Sequence, residues 1–135
     1  MNIKVVRIIK DNVVEFSSKK GNGIGTWNYA KVEEGREYSI EFDIDPILKI
    51  GDNAKRISDK IYSIRHYNNV NEIQGVVDAV DEDGLIYFRL GEDCLIMIEC
   101  EGEQIKEGDW LLLTIGAENL KVTTIGISPD WSTPL

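Results

Sequence analysis

Carboxylate residues offer the most obvious candidates for chemistry in this sequence. Three of them stand directly before a glycine, in the order Asp81, Glu82, Asp83, Gly84. This arrangement looks like a calcium-binding loop, but two positions at which an EF-hand requires oxygen ligands hold Ala79 and Leu90. An acidic run before a glycine is also typical of a turn between two antiparallel strands. We therefore predict a hairpin turn at this position and no metal site.

The other candidate catalytic groups are scattered along the chain. Asp43 and Asp45 alternate along one segment and could pair as an acid and a base, but no nucleophile or histidine accompanies them nearby. The single histidine, His66, and the two cysteines, Cys94 and Cys100, are too few for a zinc site. In one extended strand the two thiols would lie about 20 Å apart, which is too far for a disulfide. These residues predict no enzyme, no metal and no cofactor.

The charge of the chain is concentrated in its second half. The 135 residues carry 15 basic and 24 acidic side chains, a net charge of −9. Residues 1–72 have a net charge of +1, whereas residues 73–135 have a net charge of −10. Such a field repels phosphate backbones and attracts basic proteins. It predicts a basic protein partner and makes nucleic acid an unfavourable one, although an acidic surface also serves solubility alone.

Five carboxylates in predicted turns and one tryptophan are the candidate contacts for such a partner. The carboxylates are Asp81, Glu82, Asp83, Glu92 and Asp93. If Leu111 and Leu113 face the core, Trp110 points outward, where it could act as an apolar anchor at an interface. Its cover within the molecule would otherwise be the other half of the chain or the C-terminal segment that contains Trp131.

A second group of residues favours a different ligand. Trp27 and Tyr29 share one face of a predicted strand, and Lys19 and Lys20 stand in the loop before it. Single-stranded nucleic acid requires aromatic rings beside cations, because bases stack on the rings while the phosphates meet positive charge. A nucleic-acid or oligosaccharide binding module is therefore the alternative function, and packing of both rings in the core is the interpretation without a ligand.

Alternating apolar and polar residues predict strands over most of the chain. The clearest run is 37–44, and its inward face would be formed by Tyr38, Ile40, Phe42 and Ile44. The segment that follows is less regular. Ile57, Ile61 and Ile64 have helical spacing, whereas residues 61–67 have the alternation of a strand. We predict a short helix that runs into a strand.

The second half of the chain repeats the pattern of the first. A turn and an apolar face recur after 73 residues, since Val32, Glu34, Gly35, Tyr38, Ile40 and Phe42 correspond to Ile105, Glu107, Gly108, Leu111, Leu113 and Ile115. Val13, Val14 and Phe16 recur after 72 residues as Leu85, Ile86 and Phe88, and Val5, Val6 and Ile9 recur after 71 as Val76, Val77 and Val80. This predicts two related β units, 1–68 and 69–135, packed together.

Each predicted unit contains about five short strands and a glycine-containing turn. This pattern resembles the small Greek-key barrel of the oligonucleotide- and oligosaccharide-binding (OB) fold, here in tandem. The resemblance implies an all-β protein of two antiparallel OB-like barrel or sandwich units, with at most a minor helix. It implies no individual binding residues, because it rests on strand spacing and on the two Glu-Gly turns.

The location and function follow from what the sequence combines. No run approaches the ~20 consecutive apolar residues that a membrane helix needs, and residues 1–10 are broken by cations, unlike a secretion signal. We therefore expect a cytoplasmic protein with no membrane partner. The predicted function is that of a non-enzymatic protein-binding module, such as an inhibitor or immunity protein that covers the basic active site of a toxin, for example a nuclease. Its oligomeric state is left open.

Overall fold

The computed structural model describes residues 1–28, 31–101 and 105–125, and this part of the chain is almost entirely β-structure. Its strands are β1 Asn2–Lys10, β2 Val13–Ser18, β3 Gly21–Trp27, β4 Glu37–Ile44, β5 Ala54–Arg56, β6 Ser63–Tyr67, β7 Val70–Val80, β8 Leu85–Gly91, β9 Cys94–Glu99, β10 Trp110–Gly116 and β11 Leu120–Thr124. A single 3₁₀ turn covers Ala117–Asn119. The prediction of an all-β fold is therefore confirmed. Within these ranges no helix is long and apolar enough to cross a membrane.

Strand β4 shows why the alternation in the sequence becomes a strand. Its apolar residues, Tyr38, Ile40, Phe42 and Ile44, are buried, and the intervening residues are exposed. Successive side chains of an extended chain point to opposite faces, so one face can be apolar and the other can meet water. The same alternation recurs in β9, in which Cys94, Ile96 and Ile98 point inward.

The predicted helix in the segment after β5 is wrong. Residues 57–62 have no regular structure, and Ile61 is 62% exposed. The segment instead crosses β10, because Ile57 N donates to the carbonyl oxygen of Trp110 at 2.9 Å. Ile64, the third residue of the helical spacing, is buried within β6. The predicted strand at the end of the segment is therefore confirmed, and the helix is not.

Five strands close into a barrel. β1 pairs antiparallel with both β2 and β4, and β2 pairs antiparallel with β3. β11 completes the ring, since it pairs parallel with β3 and antiparallel with β4. The rings of Phe16 and Phe42 meet inside at 5.5 Å between centroids, and those of Trp27 and Tyr38 meet edge to face at 4.8 Å. The architecture is that of an OB-like small barrel.

The remaining strands extend the same sheet beyond the barrel. β7 pairs antiparallel with β6, β8 and β10, and β9 pairs with β8. β5, from the first half of the chain, pairs with β10 from the second half. The predicted boundary between residues 68 and 69 falls in the tight turn of the β6–β7 hairpin, where Asn68 and Asn69 have φ of 52° and 63°. The division into two units stays a prediction.

One buried polar side chain joins the two halves of the sheet. Asn71, on β7, is fully buried. Its Oδ1 accepts from Ile24 N at 2.8 Å, and its Nδ2 donates to the carbonyl oxygens of Ile24 at 2.7 Å and Ile115 at 3.1 Å. A buried amide is tolerated when its hydrogen bonds are made, so Asn71 fixes the spacing of β3, β7 and β10.

Candidate functional site

The acidic run at residues 81–83 forms the turn of the β7–β8 hairpin. Asp81 Oδ1 accepts from Asp83 N at 2.9 Å and from Leu85 N at 3.0 Å. Gly84 has φ of +82°, a backbone conformation that favours glycine. The predicted hairpin turn is confirmed, and one of its carboxylates stabilises the turn itself. Glu82 and Asp83 are exposed to solvent.

The second acidic pair lies at the other end of β8. Glu92 and Asp93 form the turn to β9, and both are exposed. Because β8 covers Leu85–Gly91, the two acidic turns are separated by about 20 Å of extended chain at ~3.3 Å per residue. The five predicted carboxylates therefore do not form one continuous patch.

Glu92 and Asp93 meet the two lysines that were predicted for the rival ligand. A cavity of about 340 Å³ is lined by Met1, Asn2, Lys19, Lys20, Glu92 and Asp93. We refer to it as the mixed-charge cleft. Two ammonium groups and two carboxylates line it, so it has no strong preference for the sign of a ligand's charge. Lys20 Nζ also lies 5.4 Å from the centre of the Tyr62 ring.

The predicted nucleic-acid face is not assembled in the described part of the chain. Trp27 is 1% exposed and lies in the barrel core against Tyr38. Its Nε1 donates to the carbonyl oxygen of Lys31 at 3.2 Å. A base cannot stack on a ring that is enclosed in this way, and the placement agrees with the interpretation of core packing. Tyr29 lies outside the described residues.

Trp110 is half-buried and packs against the segment that links the two halves. Its ring lies 5.1 Å from that of Tyr62, with an angle of 39° between the planes. Leu112, on the same face of β10, is buried. The linking segment thus provides cover that the sequence was expected to draw from the other half or from the C-terminal segment. Trp131 lies outside the described residues, and the role of Trp110 as an anchor stays a prediction.

A second, larger cavity is strongly acidic. Its volume is about 480 Å³, and it is lined by Asn28, Asp43, Ile44, Asp45, Leu85, Met97, Glu99 and Lys121. We refer to it as the acidic groove. β4 and β11 of the barrel form one wall, and β8 and β9 form the other. Three carboxylates face one ammonium group, and Lys121 Nζ lies 3.8 Å from Asp45 Oδ2.

Sequence reasoning missed this groove. It considered Asp43 and Asp45 only as an acid and base pair, because nothing in the local pattern brings Met97 or Lys121 near them. One signal was available in the alternation of β9. With Cys94, Ile96 and Ile98 inward, the apolar residues Leu95 and Met97 must point outward, and they are 45% and 60% exposed.

The titratable groups do not assemble a reactive centre in the described ranges. No cluster of three or more His, Cys, Asp or Glu residues there could hold a metal ion. Burial raises the pKa of Cys94 to about 11 and also raises the pKa of Cys100, whose Sγ donates to the carbonyl oxygen of Gly84 at 3.1 Å. A thiol that stays protonated at neutral pH is a poor nucleophile. The two free cysteines are therefore not activated as nucleophiles.

Comparison of the chain with protein-family models, with curated proteins and with solved structures found no match. The candidate functions must therefore be argued from the residues of this chain. The geometry described above can bind a cationic partner through surface contacts, and it offers two cavities of different charge.

Proposed function

We propose that the chain is a tandem of two OB-like units that exchange their fifth strands. Matching hydrogen bonds at the two Glu-Gly turns support this proposal. Gly35 N donates to the carbonyl oxygen of Val5 at 2.6 Å, and Gly108 N donates to that of Val77 at 2.8 Å. The two glycines also have similar φ, +83° and +92°.

The strand registers support the same proposal. β1 and β2 shift register directly after the Val5–Phe16 pair, and β7 and β8 shift directly after the Val77–Phe88 pair. A bulge at one position in both hairpins aligns residues 72 apart, one more than the spacing of 71 in the sequence comparison.

The exchange of fifth strands is argued from two parallel pairings. Val122 of β11 pairs with Trp27 at the end of β3, and Leu48 pairs with Cys100 at the end of β9. Trp27 and Cys100 are 73 residues apart, the spacing of the predicted repeat. Each half therefore receives, at the corresponding place, a strand that the other half supplies.

We further propose that this tandem is a non-enzymatic protein-binding module whose acidic second half engages a basic protein. The observation that carries the proposal is an uncompensated field of carboxylates. Residues 73–135 hold three cations against 13 carboxylates. Two of the three cations already have partners, because Arg89 makes two hydrogen bonds to Asp78 and Lys121 lies beside Asp45. The exposed turn residues keep their charge available to a partner.

An inhibitor or immunity protein that covers a cationic active site is the concrete form of this proposal. Carboxylates at Glu82, Asp83, Glu92 and Asp93 would occupy the places of substrate phosphates in a toxin such as a nuclease. Complementary charge accelerates such an encounter and fixes its orientation, and the effect decreases with salt. The nucleic-acid or oligosaccharide alternative lacks comparable support, because Trp27 is enclosed in the core.

A salt-dependent capture experiment tests the proposal. The protein is immobilised and exposed to lysate of its source cell at about 50 mM and about 500 mM salt, where the Debye length changes roughly threefold. We expect a defined basic protein that is retained at low salt and released at high salt. The matched control carries Glu82→Gln, Asp83→Asn, Glu92→Gln and Asp93→Asn, and we expect it to retain less of that protein.

Two results would contradict the proposal. One is recovery of no basic protein at either salt concentration. The other is a saturable change in tryptophan emission when a single-stranded oligonucleotide is titrated at physiological salt, since that outcome favours the nucleic-acid alternative.

A further inference from the structure

The outer face of the β8–β9 hairpin is unusually apolar for a surface. Leu95 and Met97 project from β9 and are 45% and 60% exposed. Met97 lies opposite Tyr87 of β8 in the strand register, and Leu85 lies opposite Glu99. Contiguous exposed apolar side chains mark interaction surfaces, because leaving them in water costs free energy that burial would recover.

This apolar stripe continues into the acidic groove. Leu85 and Met97 line the groove together with the carboxylates of Asp43, Asp45 and Glu99. With Lys121 included, its charged side chains sum to −2. The surface therefore combines a floor that accepts methylene groups with a rim that accepts cations.

We propose that the acidic groove and the adjoining stripe are the docking surface for an extended basic segment of the partner protein. This inference rests on the proposed function and names its site. Lysine and arginine fit both parts of the groove, because their aliphatic stems pack on apolar surface while their charged heads reach carboxylates. The stems lie on Met97 and Leu85, and the heads meet the rim.

Charge complementarity selects this occupant over two others. A nucleic acid would bring phosphates to a rim that already carries three carboxylates against one ammonium. A second copy of this chain would bring another net charge of −9. The mixed-charge cleft gives an internal comparison, since its lysines oppose the approach of a cationic segment.

The two methionines of the chain make the site directly measurable. Met97 lines the acidic groove and Met1 lines the mixed-charge cleft, so one methyl group reports on each cavity. The full chain is prepared with ¹³C-methyl methionine, and the Met97 signal is assigned from a Met97→Leu variant. The probe is a twelve-residue peptide of alternating arginine and leucine, and its control has glutamate in place of arginine.

We expect the arginine peptide to shift the Met97 signal saturably and to leave the Met1 signal in place. We expect the glutamate peptide to shift neither. A saturable shift of Met1 without Met97, or equal shifts with the glutamate peptide, would overturn the groove as the docking surface.

Matched charge variants separate the groove from general attraction. The groove variant carries Asp43→Asn, Asp45→Asn and Glu99→Gln, and the control carries Glu82→Gln, Asp83→Asn and Glu92→Gln. Both remove three exposed carboxylates, and urea unfolding checks that each variant is folded. We expect the groove variant to bind the arginine peptide about tenfold more weakly and the control less than about threefold more weakly.

The outcomes distinguish this inference from the proposed function. If both variants lose affinity equally, binding follows net charge, and the groove is overturned while a basic partner is retained. If the capture experiment recovers no basic protein but the groove variant alone loses the peptide, the proposed function fails while the groove binds basic segments as inferred.

Discussion

The β2–β3 and β8–β9 hairpins differ in what covers them. On β2, Glu15 is bound by His66 at 3.0 Å and by Arg7 at 3.3 Å. β3 is paired further with β6 at the Gly21–Ile64 position and with β11. On β9, the described structure adds only the Leu48–Cys100 bridge to the pairing with β8. Its outward side chains are apolar and exposed.

The difference shows that similar local hairpins acquire different roles through their partners. Where neighbouring strands and ion pairs use the edge and the outer face, a hairpin contributes to stability. Where such partners stop, the edge and face remain available for binding. The two hairpins therefore predict opposite responses to substitution, large for folding in the first and large for binding in the second.

Gly21→Ala is expected to have the largest effect, because it breaks the covered hairpin. Gly21 has φ of +126°, and a Cβ at this position would collide with the carbonyl oxygen of Ile64 on β6. We expect a loss of about 3 kcal/mol or more in the free energy of unfolding, measured with urea. The control is Gly35→Ala, at φ +83° with no atom within 4 Å of the added Cβ, and we expect about 1 kcal/mol there. Equal losses would contradict the importance of the β3–β6 contact.

Asn71→Ala is expected to be next in size. The substitution leaves the backbone groups of Ile24 and the carbonyl oxygen of Ile115 without their buried partner. We expect a loss of about 2 to 4 kcal/mol in the free energy of unfolding. Asn22→Ala, at an exposed position of β3, should change it by less than about 0.5 kcal/mol. A small effect of Asn71→Ala would mean that the halves are held together by apolar packing alone.

Asp78→Asn is expected to have the smallest effect, and it probes the open hairpin. The hydrogen bond from Arg89 lowers the pKa of Asp78 below 3.8, with the guanidinium charge acting in the same direction. Because the pKa is lower in the folded state, the carboxylate stabilises the fold above 3.8, and this contribution is lost as the pH falls through the lowered value. Urea unfolding should therefore show wild type more stable than the variant at neutral pH and no difference in strong acid.

Arg89→Gln provides the matching control for that experiment. If the two side chains act as a pair, the double variant should lose little more than either single variant. A difference between wild type and Asp78→Asn that persists unchanged in acid would contradict the assigned cause.

Features set by local pattern could be predicted from the sequence. The buried face of β4 follows from strict alternation over eight residues, and the turn at Asp81 follows from acidic residues before Gly84. The predicted helix failed for the converse reason. Ile57, Ile61 and Ile64 have helical spacing by coincidence, because the segment between β5 and β6 is bonded to Trp110 and to Gln74 instead of to itself.

Features set by distant pairing could not be predicted. The acidic groove brings Asp43 beside Met97 and Lys121, and nothing near Asp43 in the sequence indicates those neighbours. The meeting of Lys19 and Lys20 with Glu92 and Asp93 is of the same kind. Periodicity specifies which face of a strand is apolar, but it does not specify which strand lies next to it.

The closure of the barrel by β11 has a consequence for synthesis on the ribosome. β1 to β4 emerge early, yet the strand that seals β3 to β4 follows β10 in the chain. Until Thr124 has left the exit tunnel, the edges of β3 and β4 lack their partner, and such edges attract other chains. Closure must also join segments nearly 100 residues apart, which makes it slow compared with hairpin formation. The nascent protein therefore depends on protection of its first strands until its last one arrives.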